Sequence, residues 1–294
     1  MNEMLNKSTN YISLFILILM SYLAFVGVKP NNVAVDDIVE GNFHIKNAFG
    51  HVQALAQAPH FVGADAHSQV KNYVVKQLQQ LGLQVELQRT NAISSRNTFS
   101  KVENIISKIP GSDSNAKALL LMTHFDSASP ASLGAADAGS GVAIILEGIR
   151  AYLELDIQPK NDIIILMTDG EEMGLIGASA FVDKHPWANR IGAVLNFEAR
   201  GSAGPSYMLM ETNHGNSKLL DAYIDADLPY TVSDSLGYSI YKFLPNDTDL
   251  TVFRVGKDIL GFNFAFIDDH FNYHTELDSA QNLSLIHWHF RRII

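Results

Sequence analysis

Ile163–Glu172 reads IIILMTDGEE, an uninterrupted apolar run that gives way abruptly to acidic side chains. A strand that is apolar at every position, rather than at alternate positions, is typical of a parallel sheet covered on both faces. In open α/β sheets, ligands bind beyond the carboxyl ends of such strands. The stretch therefore predicts a buried strand whose end presents carboxylates at a binding edge.

Similar apolar runs recur along the chain, and segments with helical periodicity separate several of them. The other apolar runs are Ile105–Ile109, Ala118–Met122, Ile191–Phe197, Tyr207–Met210 and Phe262–Ile267. The helical patterns are Gly141–Leu153, Gly177–Lys184 and Ser217–Ile224. This alternation predicts an α/β fold with a mixed, largely parallel central sheet and helices on both faces.

The composition excludes several classes of partner and site. The chain has 294 residues, a formal net charge of −10 and no basic stripe, which argues against a nucleic-acid partner. It has no cysteine, and this excludes disulfides, thiolate metal sites and a cysteine nucleophile. Any metal ion must therefore be held by His, Asp and Glu side chains, a set that suits zinc or a similar divalent ion.

The N-terminal region predicts a membrane anchor. Tyr11–Val28 is an uncharged, mainly apolar run, and its length is at the lower limit for one transmembrane helix. A cleaved signal peptide is the alternative, but Ala24–Val28 offers no clean small-x-small cleavage site. The predicted organisation is a cytoplasmic tip with an anchor or signal over residues 1–29, a linker over residues 30–41 and one domain over residues 42–294.

Potential metal ligands follow four of the predicted strands, and a further acidic residue precedes a predicted helix. In chain order these residues are His124 and Asp126, Asp137, Glu171 and Glu172, Glu198, and His274. Each alone has an ordinary structural explanation, as a satisfied histidine, a solvated turn or a helix cap. Buried carboxylates at one edge of a sheet, however, need a cation or a proton to offset their lost solvation. The set as a whole therefore predicts a metal site.

The order of these residues resembles family 28 of the metallopeptidases, which includes secreted leucyl aminopeptidases, glutamate carboxypeptidase II and the related glutaminyl cyclases. The resemblance runs from about Ala58 to Ser284, and its most specific string is DGEEMGLIGA. The strings HFDS, GSGVA, NFEARGSAGP, LPNDTDLTVF and YHTELD are similar to the membrane-bound bacterial members in particular. The resemblance identifies residues 42–294 as a candidate di-zinc peptidase domain.

The resemblance implies two zinc ions per chain, bridged by Asp137. His124 and Glu198 would complete one zinc site, and Glu172 and His274 would complete the other. Many members of the family have Asp where this chain has Glu198. That departure weakens the assignment to a subfamily more than it weakens the prediction of metal binding.

The same resemblance implies an activity, the removal of N-terminal residues from peptides by a zinc-dependent exopeptidase. Glu171 would be the general base, and Asp126 would orient His124. Two zinc ions can share a water and lower its pKa toward neutrality, and a neighbouring carboxylate can take its proton. Substrates would be peptides with a free N-terminus, whose cationic amino group would be held beside the carboxylates.

Four residues are candidates for the substrate pocket, and each is explained about equally well as part of a solvated loop. They are Arg200, Tyr238, Asn246 and Asp249. Two other functions stay open: acyl transfer of the glutaminyl cyclase type, which typically uses one zinc, and a non-catalytic binding module on the same fold. The presence of all five ligand positions and of the base favours the hydrolase.

The resemblance also implies a location. Members of the family are mainly extracytoplasmic, so the catalytic region is expected in the periplasm or outside the cell, anchored to the membrane by Tyr11–Val28. If that run is a cleaved signal, the protein would instead be secreted. The membrane and peptides are thus the predicted partners.

Overall fold

Nine strands and eight α-helices lie in the part of the chain that the structure, a computed structural model, describes, namely residues 2–28, 39–40, 43–94, 97–113, 115–226, 232–233, 235–244 and 247–284. The strands are β1 Val39–Glu40, β2 Phe43–His44, β3 Val85–Ile93, β4 Phe99–Ile109, β5 Ala118–His124, β6 Ile163–Thr168, β7 Ile191–Ala199, β8 Tyr207–Glu211 and β9 Leu260–Phe266. The helices are α1 Asn2–Val28, α2 Ile45–Leu55, α3 His67–Gln80, α4 Gly141–Leu153, α5 Ile176–Lys184, α6 Ser217–Asp225, α7 Ser235–Phe243 and α8 Asp249–Lys257.

Strands β3 to β9 form one mixed sheet in the order β3-β4-β6-β5-β7-β9-β8. The neighbouring pairs β6–β5, β5–β7 and β7–β9 are parallel. The pairs β3–β4, β4–β6 and β8–β9 are antiparallel. The predicted mixed α/β fold is confirmed, but the prediction of a largely parallel sheet holds only for the four central strands. One reason is the short β3–β4 connection, because a parallel pair needs a crossover of a dozen or more residues.

Alternate side chains of the central strands pack on opposite faces of the sheet. Leu121 and Ile165 belong to a core cluster that includes side chains of α2, α3 and α4. Leu120 and Ile164 belong to a second cluster that includes side chains of α5 and α8. Both faces are therefore covered by helices, as predicted. Every position of β6 is buried, which explains why this strand is apolar from its first residue.

The four parallel strands end at the same edge of the sheet. The last residues of β5, β6, β7 and β9 are His124, Thr168, Ala199 and Phe266. Helix α4 connects β5 to β6, and α5 connects β6 to β7, which are the crossovers that parallel strands of one sheet require. Side chains at or just beyond these strand ends are consequently brought close together.

Helix α1 belongs to a unit of its own. The chain divides into two compact units, Met1–Asn32, which contains α1, and Val33–Ile294, which contains the sheet. Large apolar side chains of α1, among them Phe15, Leu17 and Leu23, are exposed. Among the helices of the described residues, none combines the length and the apolar character needed to cross a membrane. The transmembrane helix predicted at Tyr11–Val28 is therefore not confirmed.

The predicted linker falls mostly outside the described residues. Of residues 30–41, the structure describes only Val39–Glu40, which pairs with Phe43–His44 as β1 with β2. Residues 285–294, the end of the predicted domain, also lie outside the described residues. The sheet and the helices that cover it all belong to the unit Val33–Ile294.

Candidate metal centre

The carboxylate of Asp137 lies between two histidine rings. His124 Nε2 is 3.1 Å from Asp137 Oδ1, and His274 Nε2 is 3.1 Å from Asp137 Oδ2. His124 ends β5, Asp137 lies in the irregular turn before α4, and His274 lies beyond the end of β9. The buried carboxylate of Asp137 thus contacts His274, which lies 137 positions later in the chain.

Two further carboxylates complete two groups around Asp137. Glu198 Oε2 lies 3.7 Å from His124 Nε2, and Glu172 Oε1 lies 3.0 Å from His274 Nε2. Potential ligand atoms of His124, Asp137 and Glu198 all lie within 4.8 Å of one another. The same holds for Asp137, Glu172 and His274. The structure therefore brings together the five side chains that the sequence predicts as metal ligands, and both groups share Asp137.

The chemistry of these groups fits a divalent cation. Glu172 Oε1 is buried, and although His274 Nε2 lies 3.0 Å away, no described residue meets this oxygen with hydrogen-bond geometry. Burial, together with the charge of Asp137, raises the pKa of Glu172 to about 7, although the His274 ring opposes the rise. Carboxylates crowded in this way need a positive charge between them to stay ionised. Imidazole nitrogens and carboxylate oxygens are a donor set that zinc accepts.

Asp126 contacts both a histidine and the turn that follows β6. Its backbone carbonyl lies 2.9 Å from His124 Nδ1, and its Oδ1 lies 3.6 Å from the same nitrogen. Its carboxylate accepts hydrogen bonds from the backbone N–H groups of Glu171 and Glu172, at 3.0 and 3.3 Å. Asp126 is therefore placed to direct His124 Nε2 toward Asp137, mainly through its carbonyl, while its carboxylate holds the turn.

The turn that carries Glu171 and Glu172 depends on glycine. Gly170 has a φ of 70°, a left-handed backbone conformation that glycine adopts without steric penalty. A Cβ added to Gly177 would collide with the backbone carbonyl oxygen of Asp169, the residue after β6, so glycine there lets α5 approach the end of β6. The string DGEEMGLIGA thus encodes a tight connection between strand and helix that presents two adjacent carboxylates.

Glu171 lies close to the two ligand groups that contain Asp137 but belongs to neither of them. Its carboxylate forms a third group with His124 and Glu172, again with potential ligand atoms within 4.8 Å of one another. Burial raises the pKa of Glu171 well above its ordinary value, the His124 ring opposes the rise, and the charge of Glu198 adds to it. A carboxylate with a raised pKa beside a metal site suits a general base, although its position also permits metal contact.

All of the predicted metal ligands except His124 belong to the described lining of a cavity of about 690 Å³. Its charged lining residues, apart from His274, are Asp126, Asp137, Glu171, Glu172, Glu198, Asp247 and Arg200. The Arg200 guanidinium lies 5.5 Å from the centre of the Tyr273 ring, which lines the same cavity. Within the described lining, acidic side chains therefore far outnumber basic ones.

A second cavity, of about 370 Å³, shares Glu198 and Arg200 with the first. Most of its other lining residues are aliphatic or aromatic, among them Leu209, Ile240 and Leu244. Arg200 is thus the one predicted substrate-pocket residue that the described lining of either cavity contains.

The other residues predicted for the substrate pocket lie elsewhere. Tyr238 is on α7 and is absent from the described lining of both cavities. Asn246 lies outside the described residues. The side chain of Asp249 is completely buried at the start of α8, where it accepts a hydrogen bond from Thr168 Oγ1 at the end of β6, and it is absent from the described lining of both cavities.

Asp278 holds the turn that carries Asp137, and the sequence prediction did not single it out. Its carboxylate accepts hydrogen bonds from the backbone N–H groups of Ala136 and Asp137, at 2.6 and 3.2 Å. Ser132 Oγ lies 3.4 Å from the same carboxylate. The sequence feature that could have identified Asp278 is its position as the last residue of the string YHTELD, four positions after His274.

Replacement of Asp278 should loosen the Asp137 turn. We expect Asp278→Ala to lower the free energy of unfolding by about 1–3 kcal/mol, since it leaves buried N–H groups unpaired, and to weaken zinc binding about 10–100-fold. Asp162→Ala is the matched control, because Asp162 also accepts a backbone hydrogen bond, from Gly111 at 2.8 Å, away from the site. Denaturant unfolding and zinc titration of both variants provide the comparison. Wild-type zinc affinity in Asp278→Ala would contradict the positioning role.

Solved structures share the fold of this chain. A zinc aminopeptidase from Bacillus subtilis superposes with a TM-score of 0.68, at 15% sequence identity, over 86% of this chain and 95% of that chain. A glutaminyl cyclase from Porphyromonas gingivalis superposes with a TM-score of 0.67, at 20% identity, over 85% of this chain and 95% of that chain. At these identities the similarity establishes the fold alone.

Sequence comparisons identify the family. A vacuolar membrane protease of Candida albicans is 31% identical over 242 residues, which cover 82% of this chain and 28% of that protein. A vacuolar membrane protease of Schizosaccharomyces japonicus is 29% identical over an alignment of 296 positions, which covers 95% of this chain and 34% of that protein. The chain thus spans about a third of the length of these relatives. The model of peptidase family M28 matches residues 104–290, more than half of the chain, and the chain belongs to this family.

Proposed function

We propose that this chain is a zinc-dependent aminopeptidase, which hydrolyses N-terminal residues from peptides. The observation that carries the proposal is the Asp137 carboxylate, whose two oxygens face two separate groups of potential ligands. Membership of peptidase family M28 and the shared fold with zinc aminopeptidases support it. Two zinc ions per chain would be held, one by His124, Asp137 and Glu198, the other by Asp137, Glu172 and His274.

The side chains of the site have different roles in the proposed hydrolysis. Zinc, when bound, supplies Lewis acidity that lowers the pKa of water and polarises the peptide carbonyl. Glu171 lines the cavity beside the ligand groups, so its carboxylate can take a proton from the attacking water and deliver it to the leaving amine. The hydrogen bonds from the turn to Asp126 hold Glu171 and Glu172 so that neighbouring carboxylates serve different roles.

The charge of the cavity favours a substrate with a free amino group. Six carboxylates belong to its described lining, and together they exceed the charge of Arg200 and two divalent cations by one unit. A peptide α-ammonium group is therefore attracted into the cavity, and it can donate hydrogen bonds to carboxylates there. The second, largely apolar cavity beside Glu198 and Arg200 would then receive an apolar side chain of the substrate.

Glutaminyl cyclase activity is the second candidate, because cyclases are among the solved structures that share the fold. Cyclisation of N-terminal glutamine needs a single zinc, whereas this chain has both ligand groups. A non-catalytic binding module would not need a base, whereas Glu171 is present and lines the cavity. Both observations favour the hydrolase over its alternatives.

We also propose that the protein associates with a membrane and that its catalytic unit lies outside the cytoplasm. Support comes from the vacuolar membrane proteases among its relatives and from the exposed apolar side chains of α1. Fractionation of the full chain tests the first part, and a reporter fused at the C-terminus tests the second. Protein found only in the soluble fraction, or a reporter active only in the cytoplasm, would contradict these proposals.

The adjacent residues Glu171 and Glu172 should respond differently to the same substitution. Glu171→Gln should retain wild-type zinc content while kcat falls about 10²-fold or more, because an amide cannot accept the proton. Glu172→Gln should instead lose zinc, because it removes a ligand oxygen. Zinc analysis and kinetics on both variants measure the difference. Zinc loss in Glu171→Gln would assign that residue as a ligand, and near-normal turnover would remove it from the mechanism.

A substrate panel separates the candidate functions. A leucyl anilide with a free amino group should be hydrolysed with a kcat/KM roughly 10²-fold or more above that of its N-acetylated form. Acetylation removes the charge and leaves one neutral N–H in place of the three ammonium donors that the carboxylates can bind. Equal rates on the two substrates would refute aminopeptidase action. Cyclisation of N-terminal glutamine without peptide cleavage would support the cyclase.

A further inference from the structure

A buried chain of hydrogen bonds connects Glu198 to Glu211, the last residue of β8. Asn196 Nδ2 donates to Glu198 Oε1 at 3.1 Å and to Asn263 Oδ1 at 2.9 Å. Asn263 Nδ2 donates to Glu211 Oε1 at 2.7 Å. Asn196 and Asn263 are register partners on β7 and β9, and β8 is the neighbour of β9 at the edge of the sheet. The chain therefore crosses three adjacent strands and ends at a candidate metal ligand.

Each amide in the chain has only one orientation that pairs donors with acceptors. If the Asn263 amide were reversed, its oxygen would face the Glu211 carboxylate and its nitrogen would face Asn196 Nδ2. If the Asn196 amide were reversed, its oxygen would face the oxygens of Glu198 and Asn263. Asn196 keeps its orientation even though its Oδ1 is buried and has no hydrogen-bond partner among the described residues. The Glu211 carboxylate thus determines the orientation of the Asn263 amide, and the oxygens of Asn263 and Glu198 together determine that of the Asn196 amide.

Glu211 is itself held firmly at the far end of the chain. Arg254 Nε donates to Glu211 Oε2 at 2.9 Å, and the Tyr241 hydroxyl donates to Glu211 Oε1 at 2.6 Å. The Tyr241 oxygen accepts a second hydrogen bond from Asn263 Nδ2, at 2.9 Å. Burial raises the pKa of Tyr241 and the charge of Glu211 raises it further, so the hydroxyl remains a donor. These contacts lie outside the two ligand groups, and the zinc mechanism does not use them.

We propose that Glu211 is a positioning residue for Glu198, acting through Asn263 and Asn196. Because Asn196 binds Oε1 of Glu198, the other oxygen, Oε2, is left facing His124. The inference rests on the proposed zinc site, since its consequence is the affinity of the zinc held by His124, Asp137 and Glu198. Residues that orient metal ligands by hydrogen bonding typically contribute 10–100-fold to metal affinity.

Zinc affinity of Glu211→Gln, measured on the full chain by chelator competition, tests the proposal. Glutamine can present either its amide oxygen or its amide nitrogen to Asn263. The Asn263 amide is then no longer restricted to the orientation in which its Nδ2 faces residue 211. We expect about 10-fold weaker binding of one of the two zinc ions, with the second ion unaffected. Asn263→Leu removes the same link while leaving the Glu211–Arg254 ion pair, and it should give a similar loss.

Two variants serve as controls, with metal-free unfolding temperatures measured for all proteins. Glu147→Gln changes a buried carboxylate on α4 that binds Arg150 Nε at 2.6 Å, outside the chain of hydrogen bonds, and should keep wild-type zinc affinity. Tyr241→Phe removes a hydroxyl but leaves the bond from Asn263 to Glu211, so it should also keep wild-type affinity. Zinc affinity that is unchanged in Glu211→Gln, or reduced equally in Tyr241→Phe, would overturn the proposal. Wild-type protein that binds no zinc would overturn the proposed function itself.

Discussion

The two oxygens of the Asp137 carboxylate contact different histidines, and the rest of the site is arranged around this division. A buried carboxylate with further carboxylates nearby is unfavourable unless positive charge lies between them. His124 and His274 stand at 3.1 Å on either side, and Glu198 and Glu172 stand behind them. The geometry is that of two groups of potential cation ligands that share Asp137, so this one carboxylate lies at the centre of both groups.

The sheet makes this arrangement possible because its central strands are parallel. Four carboxyl ends meet at one edge, so residues that are distant in the chain converge without long loops. The antiparallel strands at the edges of the sheet contribute in a different way. Strand β8 carries Glu211, whose hydrogen bonds run inward across β9 and β7 to Glu198. The candidate metal centre is therefore connected to the strand ends and also, through these hydrogen bonds, to the outer strand of the sheet.

Much of the fold and of the site could be predicted from local sequence. The run Ile163–Met167 marks a strand covered on both faces because burial on both sides leaves no polar position. The positions of His124, Glu172 and Glu198 follow from the same logic, since each lies at or just beyond a strand end. The family resemblance supplied Asp137 as the shared ligand, and the structure places it between the two histidines.

Other features depended on contacts that no local pattern reveals. A single Asn within an apolar strand does not show which cross-strand residue it meets, so the Asn196–Asn263 pair required the register of β7 and β9. The sequence groups Asp249 with Asn246 in one loop, whereas Asp249 begins α8 and is completely buried. The antiparallel edges escaped prediction because apolar runs indicate burial and not strand direction.

Anomalous diffraction at the zinc edge, from crystals of the full chain grown with zinc, tests the shared role of Asp137 most directly. We expect two peaks about 3.5–4 Å apart, one on each side of the Asp137 carboxylate. The first should be bounded by His124 and Glu198, and the second by Glu172 and His274. A single peak, or two peaks without Asp137 between them, would contradict the shared role of this carboxylate.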